Sequence, residues 1–365
     1  MDAVTARSPV LWPGWLDWLR RELAPSPGRA AVTLRIVLTV VLVVIISMAL
    51  QIPEALLSCY MVFFVTKENK AVTTIVGVLL IIGVTIAIAA SLLIYLFTFD
   101  RPELRVPAMA ALLFAGFFFS RVFAIGPLAF ALGFVIAATQ SIAELMPDAE
   151  YLVHSLLWLW VAITYPIALS VLITRILVPT AAAGPPRPRK PLLAADAFTN
   201  PAHVQFALKV TLAAMACYVI YTGLDWPGIH TAFITCCFIS LESIGATLHK
   251  GALRLGGCVC GGLLGFLSIM YLVPQMESIV SLALLIGAVS ALAGWVAAGS
   301  ERIAYAGLQI ALAFYMCVLQ DFAPDTDFTM IRDRLVGILL GIAATTLIFR
   351  YLWPQQPIER MSATR

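Results

Sequence analysis

The sequence predicts an all-α membrane protein of about 12 transmembrane helices, arranged as two six-helix repeats. Hydrophobic residues make up 61% of its 365 residues and charged residues only 12%, whereas soluble domains have roughly 45–50% and about 25%. Apolar runs recur along the whole chain, and most of them are long enough to cross a bilayer. A motif of a basic residue, a proline and an acid occurs twice inside these runs, 174 positions apart. A motif repeated in register indicates a duplicated membrane unit.

The first predicted element is an amphipathic helix within residues 11–23. One helical face collects its large apolar side chains, Trp15, Trp18, Leu19 and Leu23. The charged side chains of Asp17, Arg20 and Arg21 lie off that face. This pattern is typical of a helix lying in the membrane interface, so residues 1–29 are predicted to form a cytoplasmic N-terminal segment.

Residues 30–179 are predicted to form the first six-helix repeat. Its helices are expected at 31–50, 55–66, 71–97, 106–120, 122–143 and 152–174. The second of these segments is too short for an ordinary crossing of about 30 Å at 1.5 Å per residue. It is either a short crossing helix or a re-entrant segment.

Residues 180–199 are Pro-rich and basic, which is typical of a linker outside the membrane. The second repeat follows in residues 200–354, and a cytoplasmic tail in 355–365. The helices of the second repeat are expected at 202–224, 228–241, 252–273, 278–299, 303–320 and 331–352. Segment 228–241 leaves the same two alternatives open as its short counterpart in the first repeat.

The distribution of Lys and Arg predicts the orientation. With both termini in the cytoplasm, most basic residues, Arg254 among them, face the inner side. Only a few, including Arg334, face outside, as the positive-inside rule expects. An even number of crossings gives both halves the same orientation, so we expect a pseudo-twofold axis along the membrane normal.

The repeated motif supplies the candidate site. Its first copy is Arg35, Pro53 and Glu68, and its second copy is Lys209, Pro227 and Glu242. From Arg35 the helix rises about 27 Å to the proline, and the chain then descends about 22 Å to Glu68. The cation and the acid of each copy should therefore lie close together near the cytoplasmic side. They could bind substrate or protons, form a structural ion pair, or simply extend to the interface.

The two proline breaks form a second candidate constellation on the outer side. Broken helices expose backbone groups that suit substrate or ion sites, although a tight turn would explain the prolines equally well. Titratable groups lie beside both breaks, namely Glu54, Asp225 and His230. We treat Pro53, Pro227 and these three residues as a candidate outer gate or proton site.

Several functions are not supported by the sequence. The net charge of +3 indicates no nucleic-acid partner, and the seven cysteines lie in apolar runs rather than in a disulfide framework. The pattern predicts no metal site and no cofactor. No nucleophile elbow, phosphate-binding loop or zinc-protease motif occurs, so we expect neither an enzyme nor a protein that hydrolyses ATP. Gly257, Gly261 and Gly265 form a GxxxG ladder that predicts close helix packing.

The segments PEALLSCYMVFFVTKEN (53–69) and DWPGIHTAFITCCFISLESIGAT (225–247) resemble the fusaric acid resistance (FUSC) family. This family comprises the inner-membrane subunits of aromatic acid exporters and of multidrug exporters of the MdtO type. The resemblance implies a bacterial inner-membrane protein that uses the proton-motive force, a periplasmic adaptor and an outer-membrane channel. Family members usually carry a cytoplasmic domain after the sixth helix, and linker 180–199 is too short to hold one.

We therefore expect export of aromatic carboxylic acids or amphipathic drugs along a path between the two halves. In this hypothesis Arg35 and Lys209 attract the anionic group of the substrate, and Glu68 and Glu242 hold those cations or exchange protons with them. The half-unit is also similar to plant aluminium-activated malate channels, so a passive organic-anion channel is the alternative. The sequence leaves the oligomeric state open, including a homo-oligomer.

Overall fold

The computed structural model describes residues 13–143, 146, 148–178, 192–241, 243–319 and 329–353. Every regular element in these ranges is helical, which confirms the all-α prediction for this part of the chain. Several predicted features lie outside the described residues: Glu242, residues 1–12, most of the 180–199 linker and the 355–365 tail.

The first half begins with α1 (Pro13–Leu23), within the segment predicted to be amphipathic. Six helices follow: α2 (Arg29–Ala49), α3 (Ala55–Val65), α4 (Lys70–Thr98), α5 (Pro102–Val122), α6 (Gly126–Ser141) and α7 (Ala149–Leu177). The starts of α4 and α7 are capped by side chains, because the carboxamide of Asn69 and the carboxylate of Asp148 accept backbone N–H groups.

The second half also contains six membrane-type segments. They are α8 (Pro201–Gly223), a 3₁₀ turn (Pro227–His230) that leads into α9 (Thr231–Ile239), α10 (Ile244–Leu267), α11 (Ile279–Ala297), α12 (Ala304–Val318) and α13 (Thr329–Tyr351). A π-helical turn (Ser268–Leu272) and a short 3₁₀ turn (Val273–Gln275) extend α10. The largest departure from the prediction is that α10 begins at Ile244 rather than at residue 252.

In the part of the chain that is described, eight helices are long and apolar enough to cross a membrane, and four apolar helices are shorter. The short ones are α3, α6, the Pro227–Ile239 segment and α12. Each half therefore has the same order of helices: long, short, long, long, short, long. The short second helix of each half was predicted from the sequence. The short fifth helix of each half was not.

The helix contacts of the two halves also correspond. In the first half, the main contacting pairs are α2–α3, α2–α7, α3–α7, α4–α6, α4–α7 and α5–α6. In the second half they are α8–α9, α8–α13, α9–α13, α10–α12, α10–α13 and α11–α12. Each of these main pairs in one half is therefore matched by the equivalent pair in the other. Between the halves, α2 packs on α11, and the equivalent helices α8 and α5 also pack together.

Two large apolar clusters hold the halves together. One joins α5 and α6 to α8, α9 and α13, and its aromatic side chains include Phe117 and Phe118. The other joins α2 and α3 to α11 and α12 around Phe314 and Tyr315. Buried apolar area contributes about 25 cal/mol per Å² in water, whereas in lipid the close packing of such clusters does most of the stabilising.

Segment 55–68 returns over the same depth as α2. The guanidinium Nη2 of Arg35 lies 3.4 Å from the backbone oxygen of Glu68, so the chain has come back to the level of Arg35. Helix α3 supplies about 17 Å of this descent at 1.5 Å per residue. The extended chain that begins at Thr66 supplies roughly 10 Å more at about 3.3 Å per residue. A short helix followed by an unwound stretch thus replaces one long helix.

The glycine ladder faces α12. A Cβ atom at Gly261 would collide with the backbone oxygen of Ile310, and one at Gly265 with the side chain of Cys317. A Cβ at Gly257 would meet the backbone of Ala306 in the same way. The absence of side chains at these positions therefore lets the backbones of α10 and α12 approach closely.

Candidate functional site

Arg35 is buried at 3% exposure and binds the helix that ends its own half. Its Nη1 donates to Thr174 Oγ1 of α7 at 3.4 Å, and its Nε contacts the Ala31 carbonyl oxygen at 3.3 Å. Its contact with Glu68 is made through the backbone oxygen rather than the carboxylate. Arg35 and Glu68 therefore meet, but no carboxylate–guanidinium ion pair joins them.

Lys209 occupies the equivalent place in the second half. Its Nζ donates to the backbone oxygen of Trp353 at 2.7 Å and lies 5.5 Å from the centre of the Phe349 ring. Phe349 lies on α13, the sixth helix of this half, just as Thr174 lies on α7. Both cations of the repeated motif thus join the first helix of a half to its sixth helix. The acid of the second copy, Glu242, lies outside the described residues.

Glu68 is exposed and lies at a cavity between the halves. The cavity has a volume of about 390 Å³. Its first-half lining comes from α2, α3 and the loop after α3, including Arg29, Lys67 and Glu68, and its second-half lining from the α11–α12 region, including Ala298 and Leu308. Arg35 is not among the lining residues, because it faces α7. Charged groups and apolar side chains therefore share one cavity at the junction of the two halves.

The unwound stretch after each short helix is held by a threonine that the sequence analysis overlooked. Thr73 Oγ1 accepts from the Lys67 backbone N–H at 3.0 Å and donates to the Lys67 carbonyl oxygen at 3.1 Å. Thr247 makes the same two contacts with Leu241 at 3.1 and 3.4 Å. Thr73 and Thr247 are 174 positions apart, so the repeat register could have revealed them.

The two proline breaks also share their backbone geometry. Gln51 and Asp225 occupy equivalent positions and both have positive φ, 51° and 49°. Glu54 has φ 59° as well. Residues other than glycine adopt this left-handed region only in special turns. The breaks at Pro53 and Pro227 are therefore sharp turns with a defined conformation.

At the second break, the polar partner of the turn is Asp333 of α13. Trp226 Nε1 donates to Asp333 Oδ2 at 3.0 Å, and Arg332 contacts Asp333 Oδ1 at 2.8 Å. Asp225 is exposed, while His230 is half-buried and its Nδ1 lies 3.0 Å from the Pro227 backbone oxygen. The candidate outer residues Asp225 and His230 thus flank a fixed cluster of Trp226, Arg332 and Asp333 that sequence reasoning missed.

A buried polar chain links the second half to α3 of the first. Arg254 of α10 donates to Thr235 Oγ1 at 3.1 Å and to Gln309 Oε1 at 3.2 Å. The amide of Gln309 in turn lies 3.4 Å from the hydroxyl of Tyr60 in α3. The hydropathy pattern placed Arg254 near the inner end of a helix predicted to begin at residue 252, whereas α10 begins eight residues earlier.

The cysteine pair of α10 and the aromatic side chains of α5 and α7 lie in different surroundings. Cys258 is buried and Cys260 exposed on α10, so the two thiols do not converge. No group of three metal-ligating side chains occurs in the described ranges. Trp158 and Trp160 lie on an exposed face of α7, whereas Phe117 and Phe118 are buried between the halves.

Long apolar helices, buried cations and a cavity between two matched halves define this chain as a multi-pass α-helical membrane protein. The second half of the chain shows a more specific similarity. Residues 212–348 match the family model described as fusaric acid resistance protein-like. This match confirms the family resemblance, and the second half of the chain contains a fusaric acid resistance-like domain.

Two curated relatives extend the similarity. The multidrug resistance protein MdtO of Escherichia coli (strain K12) and that of Shigella flexneri are each 38% identical to this chain over 178 residues. The aligned part covers 48% of this chain and 25% of each relative, so the match spans about a quarter of their length. No solved structure matches the chain significantly.

Proposed function

We propose that this chain is a bacterial inner-membrane efflux transporter for aromatic carboxylic acids or amphipathic drugs. The cavity between the halves carries the proposal, because it combines charged groups with apolar walls suited to an amphipathic solute. The similarity to the multidrug resistance protein MdtO supports the same reading. The chain carries no phosphate-binding loop, so the proposed energy source is the proton-motive force.

We further propose that the described helices form two six-helix repeats around a pseudo-twofold axis along the membrane normal, with both termini in the cytoplasm. The matched helix order and the matched helix contacts support this arrangement. Two such units side by side would create a central path whose two walls come from different halves. Each of the four shorter helices would then count as a full crossing, which gives twelve together with the eight long helices.

Within this path, Glu68 is proposed to receive substrate or protons at the inter-half cavity, and Glu242 is its proposed counterpart. The direct attraction of substrate by Arg35 and Lys209 stays a prediction. Their contacts with α7 and α13 favour a second effect, in which they fix the first helix of each half against the sixth. The turns at Pro53, Glu54, Asp225, Pro227 and His230 are the proposed outer gate.

Export beyond the cell envelope would require partners. We propose a periplasmic adaptor and an outer-membrane channel, as the family resemblance implies. Charged residues beside the Pro227 turn, including Arg332 of α13, are the described candidates for contact on the outer side.

The cavity offers a direct test. Ala298→Phe should narrow the space between the halves and lower both resistance and measured efflux of 4-hydroxybenzoate from cells lacking their own exporters. Ala89→Phe on an exposed face of α4 is the matched control and should leave efflux unchanged. Equal efflux from both variants at equal expression would reject the cavity as the path.

The energy source and the channel alternative are separated in proteoliposomes. Flux of 4-hydroxybenzoate should rise with an imposed pH gradient and fall when that gradient is collapsed. Flux that ignores the proton gradient and follows the anion gradient alone would favour the passive channel. In the same system, Arg35→Gln combined with Lys209→Gln should abolish flux without preventing insertion; unchanged flux would reject their role.

A further inference from the structure

Two arginine side chains lie deep within the apolar helices of the second half. Arg254 is 2% exposed and Arg334 is 7% exposed. Arg254 follows the start of α10 by ten residues, which is about 15 Å along the helix. Arg334 lies more than one turn inside α13. The two charges are close enough to interact with each other.

The hydrogen-bond partners of these two guanidinium groups within the described ranges are all neutral. Arg254 donates to Thr235 and Gln309 and also to the Tyr305 hydroxyl at 3.0 Å. Arg334 Nη1 contacts the Met316 sulfur at 2.8 Å, a weak acceptor. Its Nε and Nη2 are buried and have no hydrogen-bond partner within the described ranges.

The two positive charges are therefore uncompensated by any acid that the structure describes, because none of its salt bridges involves either arginine. A charge at this depth is costly unless it is paired. Two like charges close together raise that cost further. An anion bound between them would remove both penalties, and the free N–H groups of Arg334 could donate to it.

The first half shows that the shared scaffold does not need these charges. Leu80 stands where the second half has Arg254, and Leu159 stands where it has Arg334. Both leucines are partly buried in an apolar cluster of the first half. The arginines are thus a feature added to one half, on the side that reaches Tyr60 of α3.

The space beside Arg334 limits the size of the ligand. A cavity of about 10 Å³ is lined by Arg334 together with Cys258, Gly262, Ala313, Met316, Met330 and Ile331. This volume holds about one water molecule. Met316 and Met330 are flexible side chains that can move to admit a larger group.

We propose that Arg254 and Arg334 form a binding site for a monovalent anion, either chloride or the carboxylate of the exported acid. The carboxylate source rests on the proposed function, whereas anion binding itself does not. The space beside Arg334 is lined by α10, α12 and α13, and Arg254 connects it to Tyr60 of α3 through Gln309.

Thermal unfolding of the purified full chain tests the site, with sodium benzoate or sodium chloride titrated into a zwitterionic buffer that contains no chloride and no carboxylate. Wild-type protein should melt at a higher temperature as benzoate or chloride rises. Arg334→Gln should bind at least about tenfold more weakly, because removing one partner of a buried charge contact costs more than one factor of ten. Arg332→Gln, an exposed arginine two residues away, is the matched control and should bind as wild type.

The anion-free protein gives a signature that a purely structural arginine would not produce. Without added anion, Arg334→Gln should melt at the same or a higher temperature than wild type, because an uncompensated charge is gone. With saturating anion, the order should reverse. If Arg334→Gln is destabilised by the same amount with and without added anion, the proposal is overturned.

Conservative variants keep the test decisive if the Gln variants do not fold. Arg254→Lys and Arg334→Lys retain the charge but lose the planar fork, so they should bind more weakly than wild type. Wild-type affinity in both Lys variants would overturn the site. Arg-dependent stabilisation by benzoate assigns the carboxylate, and stabilisation by chloride alone assigns the inorganic anion.

Export assays separate this inference from the proposed function. Arg-dependent anion binding in a chain that exports no acid would leave the site standing and reject the transport function. Normal export by a folded Arg254→Gln, Arg334→Gln double variant that still binds benzoate as wild type would reject the site and leave the transport function standing.

Discussion

The two halves of the chain share their helix order and their helix contacts, yet they place polar groups differently. At the middle of the third and sixth helices, the first half has Leu80 and Leu159, where the second half has Arg254 and Arg334. At the outer turn, Ile52 stands where the second half has Trp226, the donor to Asp333. The two halves therefore bury charged side chains at different positions, and only the second half buries them at the places of Leu80 and Leu159.

A second comparison concerns the chain that precedes each half. At the start of α2, Arg29 donates to the Trp295 carbonyl oxygen at 2.7 Å. In the first turn of α8, His203 occupies the place of Arg29 and accepts from Arg121 Nε at 3.2 Å. Asp196 lies 3.4 Å from His203. The same corner is thus built twice, with a permanent cation in one copy and a titratable group in the other.

The largest effect is expected where α10 and α12 pack most tightly. Gly261→Ala should destabilise the protein by about 2–3 kcal/mol or more, because the new Cβ collides with the Ile310 backbone oxygen. The equivalent first-half position is already Ala87, and Ala87→Gly should cost only about 1 kcal/mol. Thermal melting of both purified variants measures the difference, and similar melting temperatures would show that the two packings are equivalent.

The outer cluster of the second half should give the next largest effect. Asp333→Ala removes the acceptor of Trp226 Nε1–H and the partner of Arg332, so we expect a loss of about 1–3 kcal/mol. Arg332→Gln removes only an exposed partner and should cost less than about 1 kcal/mol. If denaturation gives the same loss for both variants, the Trp226–Asp333 bond contributes nothing.

The two cations of the repeated motif should differ in a measurable way. Lys209→Met breaks a 2.7 Å contact with the Trp353 carbonyl oxygen and should cost about 1–2 kcal/mol. Arg35→Met breaks contacts of 3.3–3.4 Å and should cost less. Melting temperatures of the two variants test the order, and a larger loss for Arg35→Met would contradict it.

The smallest effect concerns pH at the corner before α8. The amide of Asn200, with a further contribution from His203, lowers the pKa of the Asp196 carboxyl from its ordinary 3.8. The charged carboxylate is the favoured form, so its stabilisation is complete above that ordinary value and is lost as the pH falls through the lowered pKa.

Hydrogen exchange of residues 192–200 measures this effect. Protection should fall in acid in the wild-type chain, and Asp196→Asn should show little of that dependence. The equivalent N-terminal corner around Arg29 serves as an internal reference. The same acid dependence in wild type and variant would exclude Asp196 as its source.

Apolar runs and the repeat register were sufficient to place the membrane helices. The expected helices 31–50 and 202–224 agree with α2 and α8 to within about two residues, because charged and proline-containing segments bound them sharply. The prediction was wrong for α10, which continues back through the polar residues His249 and Lys250 to Ile244. Hydropathy alone ends a helix at its first charges, although a helix can continue into the interface.

The candidate site was predicted in part. Depth arithmetic brought Arg35 and Glu68 to the same level, and the structure places them in contact through the Glu68 backbone. The ion pair itself was not formed, because the choice between a carboxylate and a carbonyl oxygen depends on side-chain rotamers. The inter-half cavity and the Asp333 cluster join residues far apart in sequence, so spacing along the chain could not reveal them.

The sequence by itself determined the membrane class, the register of the repeated motif and the positions of the helix breaks, since these depend on local hydropathy and on periodic spacing. Only the tertiary structure decided which charges are buried together. The sequence pattern assigned Arg254 to the inner side of the membrane and Arg334 to the outer side. Folding places them as neighbours, because α10 and α13 pack side by side and begin at opposite ends.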